Sequence, residues 1–545
     1  MKKKIISLLF ASVFALSASA GCGEKTPEID MTKAPDTVYG YSSGDSEFLT
    51  YAYHSPTDGY WFVGEETFYA GQDFRTQERY EEYKDCGFNT LMLQGNDAYN
   101  GSDFETSQLK KNMDNAYAAG VEKVIVFDTR INYLSSLDAP FIGNGFSDKY
   151  SGRTYETEAD VVAWIKECLE PYRSHPAFYG VMLHDEPTWK ILPQTSLTYK
   201  LVETAWEELA ADETVTLAEN PAKAEGIYVQ ENLLPLDPSA ASGLFVDPDG
   251  EYGDADQYTK YEQYIRTFVE ISEADRICMD SYPIREKLGS DGKATSNTYS
   301  ITATHFPGLR ILQKVAKEYG CELAAVAGTT RLGSETETKL KGPNRSEMYW
   351  QINAYMGFGV QGYSYYTYWA KRDNSTTSEH TDGTAFITRM GEKTPLWYSM
   401  QKIHSEMQAF APVIMNFEYQ GMRYYISKPT SFATSHITAG YTAENPMDEF
   451  TVLKNVEVAT AQQSLVTELK DENNGQYMYM LMNPNAPSNA VLGDVSLNAT
   501  LDFGKDSAYH AVEVWYKGEK SYRALVDGKV DFELAAGYAV YVMPF

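Results

Sequence analysis

Short apolar runs alternate with stretches of helical spacing from about residue 47 to residue 412, and beyond that point the helical spacing disappears. A continuous apolar run reads as a buried parallel strand, and apolar positions three and four apart read as one face of a helix. Phe48–His54, Asn89–Gly95, Lys123–Arg130, Phe178–Pro187, Ile227–Pro235, Asp275–Pro283, Cys321–Gly328 and Gly359–Trp369 have the first pattern. Arg75–Asp85, Ser107–Ala119, Thr157–Arg173, Leu197–Ala211, Tyr261–Ser272, Leu309–Tyr319, Ser346–Met356 and Pro395–Phe410 have the second. Gly87, Gly120 and Gly320 stand where helices stop, and Thr157-x-x-Asp160 is a start signal. Eight β–α units in order predict a parallel sheet, and eight in one domain predict its closure into a (β/α)8 TIM barrel. Residues 236–261 form a long irregular insertion in this pattern.

After Pro412 the runs shorten to Tyr419–Ser427, Phe450–Val458, Gln476–Met482, Ala490–Leu497, Ala511–Tyr516 and Tyr538–Met543, separated by Asn, Gly, Pro and Asp. Asp527-Gly528 is a hairpin signal. This part reads as an all-β sandwich, with its last strand tied into a sheet. The expected fold class is therefore α/β, a barrel over residues 47–412 followed by a β-sandwich over residues 413–545. A length of 545 residues suits two such domains.

The ends of the predicted strands hold the candidate chemistry. The fourth run stops in His184-Asp185-Glu186-Pro187. Proline cannot donate to a ladder, so the strand ends there. Two carboxylates and an imidazole then lie at the C-terminal lip, where barrels of this class build their sites. Cleaving a glycosidic bond needs one carboxylic acid to protonate the leaving oxygen and a second carboxylate as nucleophile or base. Glu186 is the candidate acid, with Asp185 and His184 beside it to tune its proton affinity. Asp280, at the end of the sixth run, is the favoured second carboxylate. Glu231, Asp128 and the loop residues Glu335 and Glu337 are alternatives. Carboxyls about 5–5.5 Å apart predict retention, and about 6.5–9.5 Å predict inversion. His54, Gln94 and Tyr366 are expected to line the same pocket.

The N-terminus changes the cellular picture. Lys2 to Lys4 precede an apolar stretch from Ile5 to Ala18, and Ser19-Ala-Gly-Cys22 follows. Residues 1–21 read as a secretory signal. The small residues before Cys22 resemble a bacterial lipobox, which implies lipid on the Cys22 thiol. The competing reading is an ordinary signal with an incidental cysteine. Residues 22–46, polar and rich in Thr, Pro and Asp, read as a tether. The protein is expected in the cell envelope, outside the cytoplasm, held to the membrane by that lipid alone.

The whole chain carries 46 basic and 76 acidic residues. Loss of the signal lowers the basic count to 43 and gives a balance of −33. Such a charge argues against nucleic acid and anionic membrane surfaces as ligands. Tyrosine is abundant, at 42 residues, either as core filling or as platforms that stack on sugars. The five cysteines are widely spaced and predict no disulfide framework. No zinc-binding spacing is present. The acidic loop Asp247–Asp256 matches a calcium loop only loosely, because its glycine is one place late and Tyr258 stands at the twelfth position. No cofactor and no metal are expected.

The chain resembles the clan A retaining glycosidases, whose fourth strand typically ends Asn-Glu-Pro with Glu as acid/base. Here that motif reads Asp185-Glu186-Pro187. The resemblance implies that Asp185 binds a sugar hydroxyl, that Tyr282 is the ring near the end of strand six, and that Trp369 closes strand eight as a sugar platform. Thr394–Ile414, led by Pro395-Leu-Trp-Tyr398, is similar to the barrel closure of β-galactosidase-like enzymes, and the β module to their C-terminal domains. One departure matters. The clan's nucleophile ends strand seven, and here that strand ends Ala327-Gly328-Thr329-Thr330. The leading expectation is a glycoside hydrolase acting on an extracellular glycan. A carbohydrate-binding protein on a degenerate barrel is the alternative, favoured by the missing acid, and a purely structural barrel is a third.

Overall fold

The computed structural model describes residues 27–38, 47–56, 73–94, 97–212, 217, 219–236, 255–288, 294–299, 304–330, 338–340, 342–370, 385–388, 391–426, 450–459, 462–485 and 496–545. In chain order the strands of the first domain are β1 (Leu49–Ala52), β2 (Thr90–Met92), β3 (Lys123–Val126), β4 (Phe178–Asp185), β5 (Tyr228–Asn232), β6 (Arg276–Ser281), β7 (Ile284–Leu288), β8 (Ala294–Tyr299), β9 (Glu322–Gly328), β10 (Thr338–Leu340) and β11 (Val360–Tyr366). β1, β11, β9 and β6 form one four-stranded parallel sheet, and β2, β3, β4 and β5 form another.

The eight expected strands are therefore present, but their ladders do not run round as one ring. Among the described residues the two seams carry only sparse backbone pairing, with an isolated parallel bridge between Leu233 and Met279 at the first. Leu233 N donates to Cys278 O at 2.9 Å, and Asn89 N donates to Thr50 O at 3.2 Å. At the second seam a side chain takes over the ladder's role. Asn89 Oδ1 accepts from Thr50 N at 2.9 Å, and Asn89 Nδ2 donates to Phe48 O at 2.8 Å. Backbone groups that must be paired are paired, without a strand pair.

Helices pack outside both sheets. Thr76, Ser107, Thr157, Asp256 and Asn344 cap five of them through side-chain oxygens, as residues of these types do. The main core lies between helices and sheets. A second cluster fills the space between the two sheets and is rich in rings, with Tyr51, Tyr53, Tyr179 and Tyr228 beside Met92, Ile125 and Met182. Much of the tyrosine excess is thus core, with hydroxyls satisfied locally. Tyr83 donates to Thr90 O at 2.9 Å, and Tyr264 donates to Pro187 O at 2.7 Å.

Several elements depart from the sequence pattern. The third run bends at Asp128, whose side chain caps a helix over Thr129–Ser135. The chain does not stop at Pro283 but continues into β7, which joins β8 and β10 in a small antiparallel sheet. Residues 237–254, with most of the candidate calcium loop, lie outside the described residues. Among the described residues no group of three or more His, Cys, Asp or Glu side chains could hold a metal ion.

The second domain contains β12 (Glu418–Ile426), β13 (Asn455–Val458), β14 (Gln463–Lys470), β15 (Tyr477–Met482), β16 (Leu497–Asp502), β17 (Ala511–Tyr516), β18 (Glu519–Ala524), β19 (Lys529–Leu534) and β20 (Ala539–Pro544). A six-stranded sheet, β12-β14-β15-β20-β17-β18, and a three-stranded sheet, β13-β16-β19, enclose a common apolar cluster. The domain is fastened to the helices Arg345–Gly357 and Pro395–Ile414 of the first. Trp350 Nε1 donates to Pro484 O at 3.0 Å, and Thr467 Oγ1 donates to Gly357 O at 2.9 Å.

Part of the expected tether is not free. Ile29 and Ala34 pack on Ala511, Tyr522 and Phe545, Asp30 N donates to His510 Nε2 at 3.2 Å, and Lys520 pairs with Asp36 at 2.5 Å. Apolar Ile29 and Ala34 in an otherwise polar stretch explain the docking. The expected signal and Cys22 lie outside the described residues.

Candidate active site

The end of β4 is built to turn two consecutive carboxylates toward one place. Met182 aligns with Gln230 and Asp185 with Asn232, so three steps of β4 span two steps of β5. A bulge of this kind re-aims the side chains after it. Leu183 faces the outer core, and Asp185 faces the space above the sheets. Asp185 Oδ1 accepts from Asn232 Nδ2 at 3.1 Å and from Tyr53 Oη at 3.2 Å, and the residue is exposed. Glu186 then takes a left-handed backbone, φ 54°, uncommon for a side chain of this size. Its N–H donates to Asn232 O at 2.9 Å, and the anchoring of Pro187 O by Tyr264 fixes the following turn.

Asp280, near the end of β6, meets Glu186. The residue is 2 % exposed. The Glu186 carboxyl and the Tyr282 hydroxyl lie within hydrogen-bonding reach of its carboxyl. Burial foremost, then the charges of Glu186 and Asp185, push Asp280 well above the usual carboxylate range. Two carboxyl groups in such contact titrate as a pair. Asp280 was the favoured second carboxylate. A buried group that touches the proposed acid is not a nucleophile facing that acid across a sugar.

Rings wall the same space. Tyr366 lies 5.7 Å from Tyr282, 5.9 Å from Tyr53 and 5.8 Å from His54 between ring centroids. Burial pushes the Tyr366 phenol up to about 12. Gln94, half-buried, donates from Nε2 to Met182 Sδ at 3.0 Å. His184 is turned aside by the bulge. Its Nδ1 lies 3.1 Å from Ser136 Oγ, and burial lowers its proton affinity, so it is neutral at pH 7.

Two expectations fail outright. Trp369 is no platform. It is 1 % exposed, its ring lies 4.7 Å from that of Phe74, and its N–H donates to His54 O at 3.0 Å. The chain has left the cleft three residues after β11 and is entering the core. Asp128 is no nucleophile, because it is fully buried and occupied by Arg130 and by the Tyr172 hydroxyl at 3.0 Å. Glu231 shares the outward face of β5 with Val229 and Leu233. Both its oxygens are buried without a hydrogen-bond partner, and burial pushes its carboxyl well up.

The end of β9 bears no acid, and a side chain at Gly328 would crowd Tyr282. A Cβ there would lie 3.0 Å from Tyr282 Cδ1, so the tyrosine ring fills that place. Gln351 bonds both Gly328 N and Gly328 O at 3.0 Å, and Thr329 Oγ1 donates to Thr367 O at 3.0 Å. Glu335 and Glu337 lie outside the described residues.

Sequence reasoning missed Tyr53 and Asn232, which orient Asp185. A signal was available. Tyr228, Gln230 and Asn232 alternate on one face of β5. Polar residues at every second position of a buried strand mark a polar interior. There Tyr51 donates to Gln230, with the Tyr228 hydroxyl 3.1 Å from that of Tyr51.

A separate cavity of about 50 Å³ lies between the domains, walled by Met356, Phe410, Trp515 and Tyr541. Its only carboxylate, Glu406, is taken by the Tyr349 hydroxyl and Lys402, so it offers no acid–base chemistry.

No family model and no curated protein matches the sequence. Solved structures that the chain resembles include glycoside hydrolases. An α-amylase from Anoxybacillus shares 10 % identity, covering 91 % of this chain and 98 % of that one, with a TM-score of 0.45. A glycoside hydrolase family 5 protein from Bacteroides vulgatus shares 9 %, covering 91 % and 89 %, with a TM-score of 0.45. An α-amylase from Geobacillus thermoleovorans shares 10 %, covering 91 % and 98 %, with a TM-score of 0.46. Likenesses this distant decide nothing about the reaction, and the functional reading rests on the site.

Proposed function

We propose that this protein is a glycoside hydrolase, that its two parallel half-sheets work as one barrel, and that Glu186 protonates the leaving oxygen. The observation that carries this reading is the contact between Glu186 and Asp280. A half-exposed carboxyl in contact with a buried one whose proton affinity burial raises is placed to draw on that group's proton and pass it to substrate. The buried partner stores the proton, and the exposed one meets substrate. His54, Tyr282 and Tyr366 supply ring edges and faces for a sugar, and exposed Asp185, oriented by the buried Tyr53, supplies a hydrogen-bond acceptor. Carbohydrate is the partner this lining suits, and none of the proposed steps uses a metal or cofactor.

The envelope address is a proposal carried by the N-terminal sequence. Processing before Cys22 and lipid on its thiol would hold the protein to a membrane, and residues 29–36 would bring that anchor to the β-sandwich. Labelling with a radioactive fatty acid in a bacterial host checks this: Cys22→Ser is expected to abolish the label.

One observation favours a second reading, a carbohydrate-binding protein without activity. The end of β9 has no acid and Tyr282 fills the place of a side chain there. Hydrolysis of a broad panel of aryl glycosides and polysaccharides decides between them. The expected result is activity that falls about a thousandfold in Glu186→Gln. Saturable binding of a glycan with no hydrolysis by the wild type would establish the second reading instead.

A further inference from the structure

A glycosidase that acts through Glu186 needs something to attack C1, and the described carboxyls at this lip do not supply it. Asp280 is buried and touches Glu186. Glu231 is buried on the outer face of β5. Tyr282 occupies the space over Gly328. Among the described residues the remaining carboxylate at this lip is Asp185, exposed, adjacent to the acid, and held through Oδ1 by Tyr53 and Asn232. Consecutive Cα atoms are about 3.8 Å apart. Side chains from such neighbours reach neighbouring positions on one sugar, the leaving oxygen on C1 and the substituent on C2. They do not reach opposite faces of the ring, as an acid and its nucleophile must. A fixed carboxylate that accepts hydrogen bonds beside C2 suits an N–H there.

We propose, resting on the glycosidase reading above, that the substrate is a 2-acetamido-2-deoxy sugar whose own acetamido oxygen is the nucleophile, with Asp185 holding the acetamido N–H and Glu186 moving the proton. Glycosidases without a protein nucleophile use such substrate assistance. In the first step the acetamido carbonyl oxygen forms a bond to C1. The C1–O bond to the leaving group breaks, and its electron pair takes the proton of Glu186. The product is a five-membered oxazolinium ion fused to the sugar, its N–H paired with the Asp185 carboxylate. In the second step water adds to C1 and gives a proton to the Glu186 carboxylate. The ring C1–O bond breaks and restores the acetamido group. Asp185 gains most when the nitrogen becomes positive, so its effect falls on the transition state.

The test compares aryl glycosides and oligosaccharides bearing a 2-acetamido group with matched ones bearing a 2-hydroxyl, in the wild type and in Asp185→Asn. Mono-, di- and trifluoroacetyl versions of the hydrolysed acetamido substrate follow. The expected result is hydrolysis confined to acetamido substrates, with kcat falling stepwise as fluorine weakens the carbonyl oxygen and about a hundredfold loss in Asp185→Asn. Equal hydrolysis of 2-hydroxyl substrates, or no dependence on fluorination, would overturn the inference and leave the glycosidase reading standing. No hydrolysis of either set would overturn both.

Discussion

The ends of β4 and β9 face the same space, and the chain treats them oppositely. At β4 a bulge, a left-handed Glu186 and an exposed Asp185 hold charge where burial is incomplete. At β9 a glycine, two buried threonines and the bracket of Gln351 leave nothing charged. The first end accepts backbone strain to present functional groups. The second satisfies its polar atoms and gives its space to a neighbour's ring. Strain of this kind persists where surrounding structure enforces it, and it gathers at functional sites. The contrast therefore sets an exposed and a half-exposed carboxyl at the end of β4 and none at the described end of β9.

The largest effect that can break this contrast is a paired measurement. Glu186→Gln at the first end is expected to cost about a thousandfold in kcat. Thr329→Ala at the second removes one bond to a backbone carbonyl, so it costs about 1 kcal/mol of stability and less than tenfold in activity. Comparable losses in kcat from the two would mean that the end of β9 takes part in the reaction.

How much of this was legible beforehand follows the same division. The eight parallel strands were readable because each is a continuous apolar run between turn residues. Edge strands were not: β18 is Glu-Lys-Ser-Tyr-Arg-Ala, with four of its six residues polar and four exposed, and only pairing with β17 makes it a strand. At the site, the end of β4 was legible because Pro187 marks where the strand must stop. Trp369 misled because sequence position gives distance along a strand and not the point at which the chain turns into the core. Asn232 was hidden because its role depends on a bulge in the neighbouring strand. The state of Asp280 was hidden too, since burial and a carboxyl from another strand set it.

Asp280→Asn sharpens the reading of the pair. The amide keeps the shape and removes the titrating carboxyl. Asp280 holds its proton in the folded state well above its unfolded value of 3.8. Its contribution to stability is thus complete below about that pH and is lost as pH rises. The variant is expected to be more stable than the wild type at pH 8 and no more stable at pH 4. It is also expected to lose about tenfold to a hundredfold in kcat, with the alkaline limb of the pH profile moved down because the stored proton is gone. An unmoved alkaline limb would separate Asp280 from proton transfer.

Gly328→Ala probes the closed end more gently. The added methyl meets Tyr282 Cδ1 at 3.0 Å, so the ring must shift by a few tenths of an ångström. Small misplacements of groups that line a site cost rate out of proportion to stability. About threefold to tenfold in kcat/KM, mostly through KM, is the expected loss. Glycan affinity and hydrolysis rates measured together check it, and an unchanged KM would remove Tyr282 from substrate contact.

The smallest effect belongs away from both ends, where a raised carboxyl has no chemistry to serve. Glu203, on the helix Leu192–Ala211, is pushed up to about 8 by burial, with Asp275, Glu207 and Glu273 adding to the shift and Arg276 opposing it. Its proton affinity is raised for the same physical reason as that of Asp280, but it faces other acids of the outer helix layer and no cleft. The folded state binds more protons than the unfolded one between pH 4.5 and about 8, so stability from this group is present below 4.5 and lost as pH rises through 8. Glu203→Gln is expected to raise Tm by a few degrees at pH 8.5, to leave it unchanged at pH 4.5, and to leave kcat unchanged throughout. Thermal melts at the two pH values, with activity alongside, separate a carboxyl that is merely buried from one that is buried for use. A fall in kcat at constant stability would show that a raised proton affinity in this fold does not by itself tell the two apart.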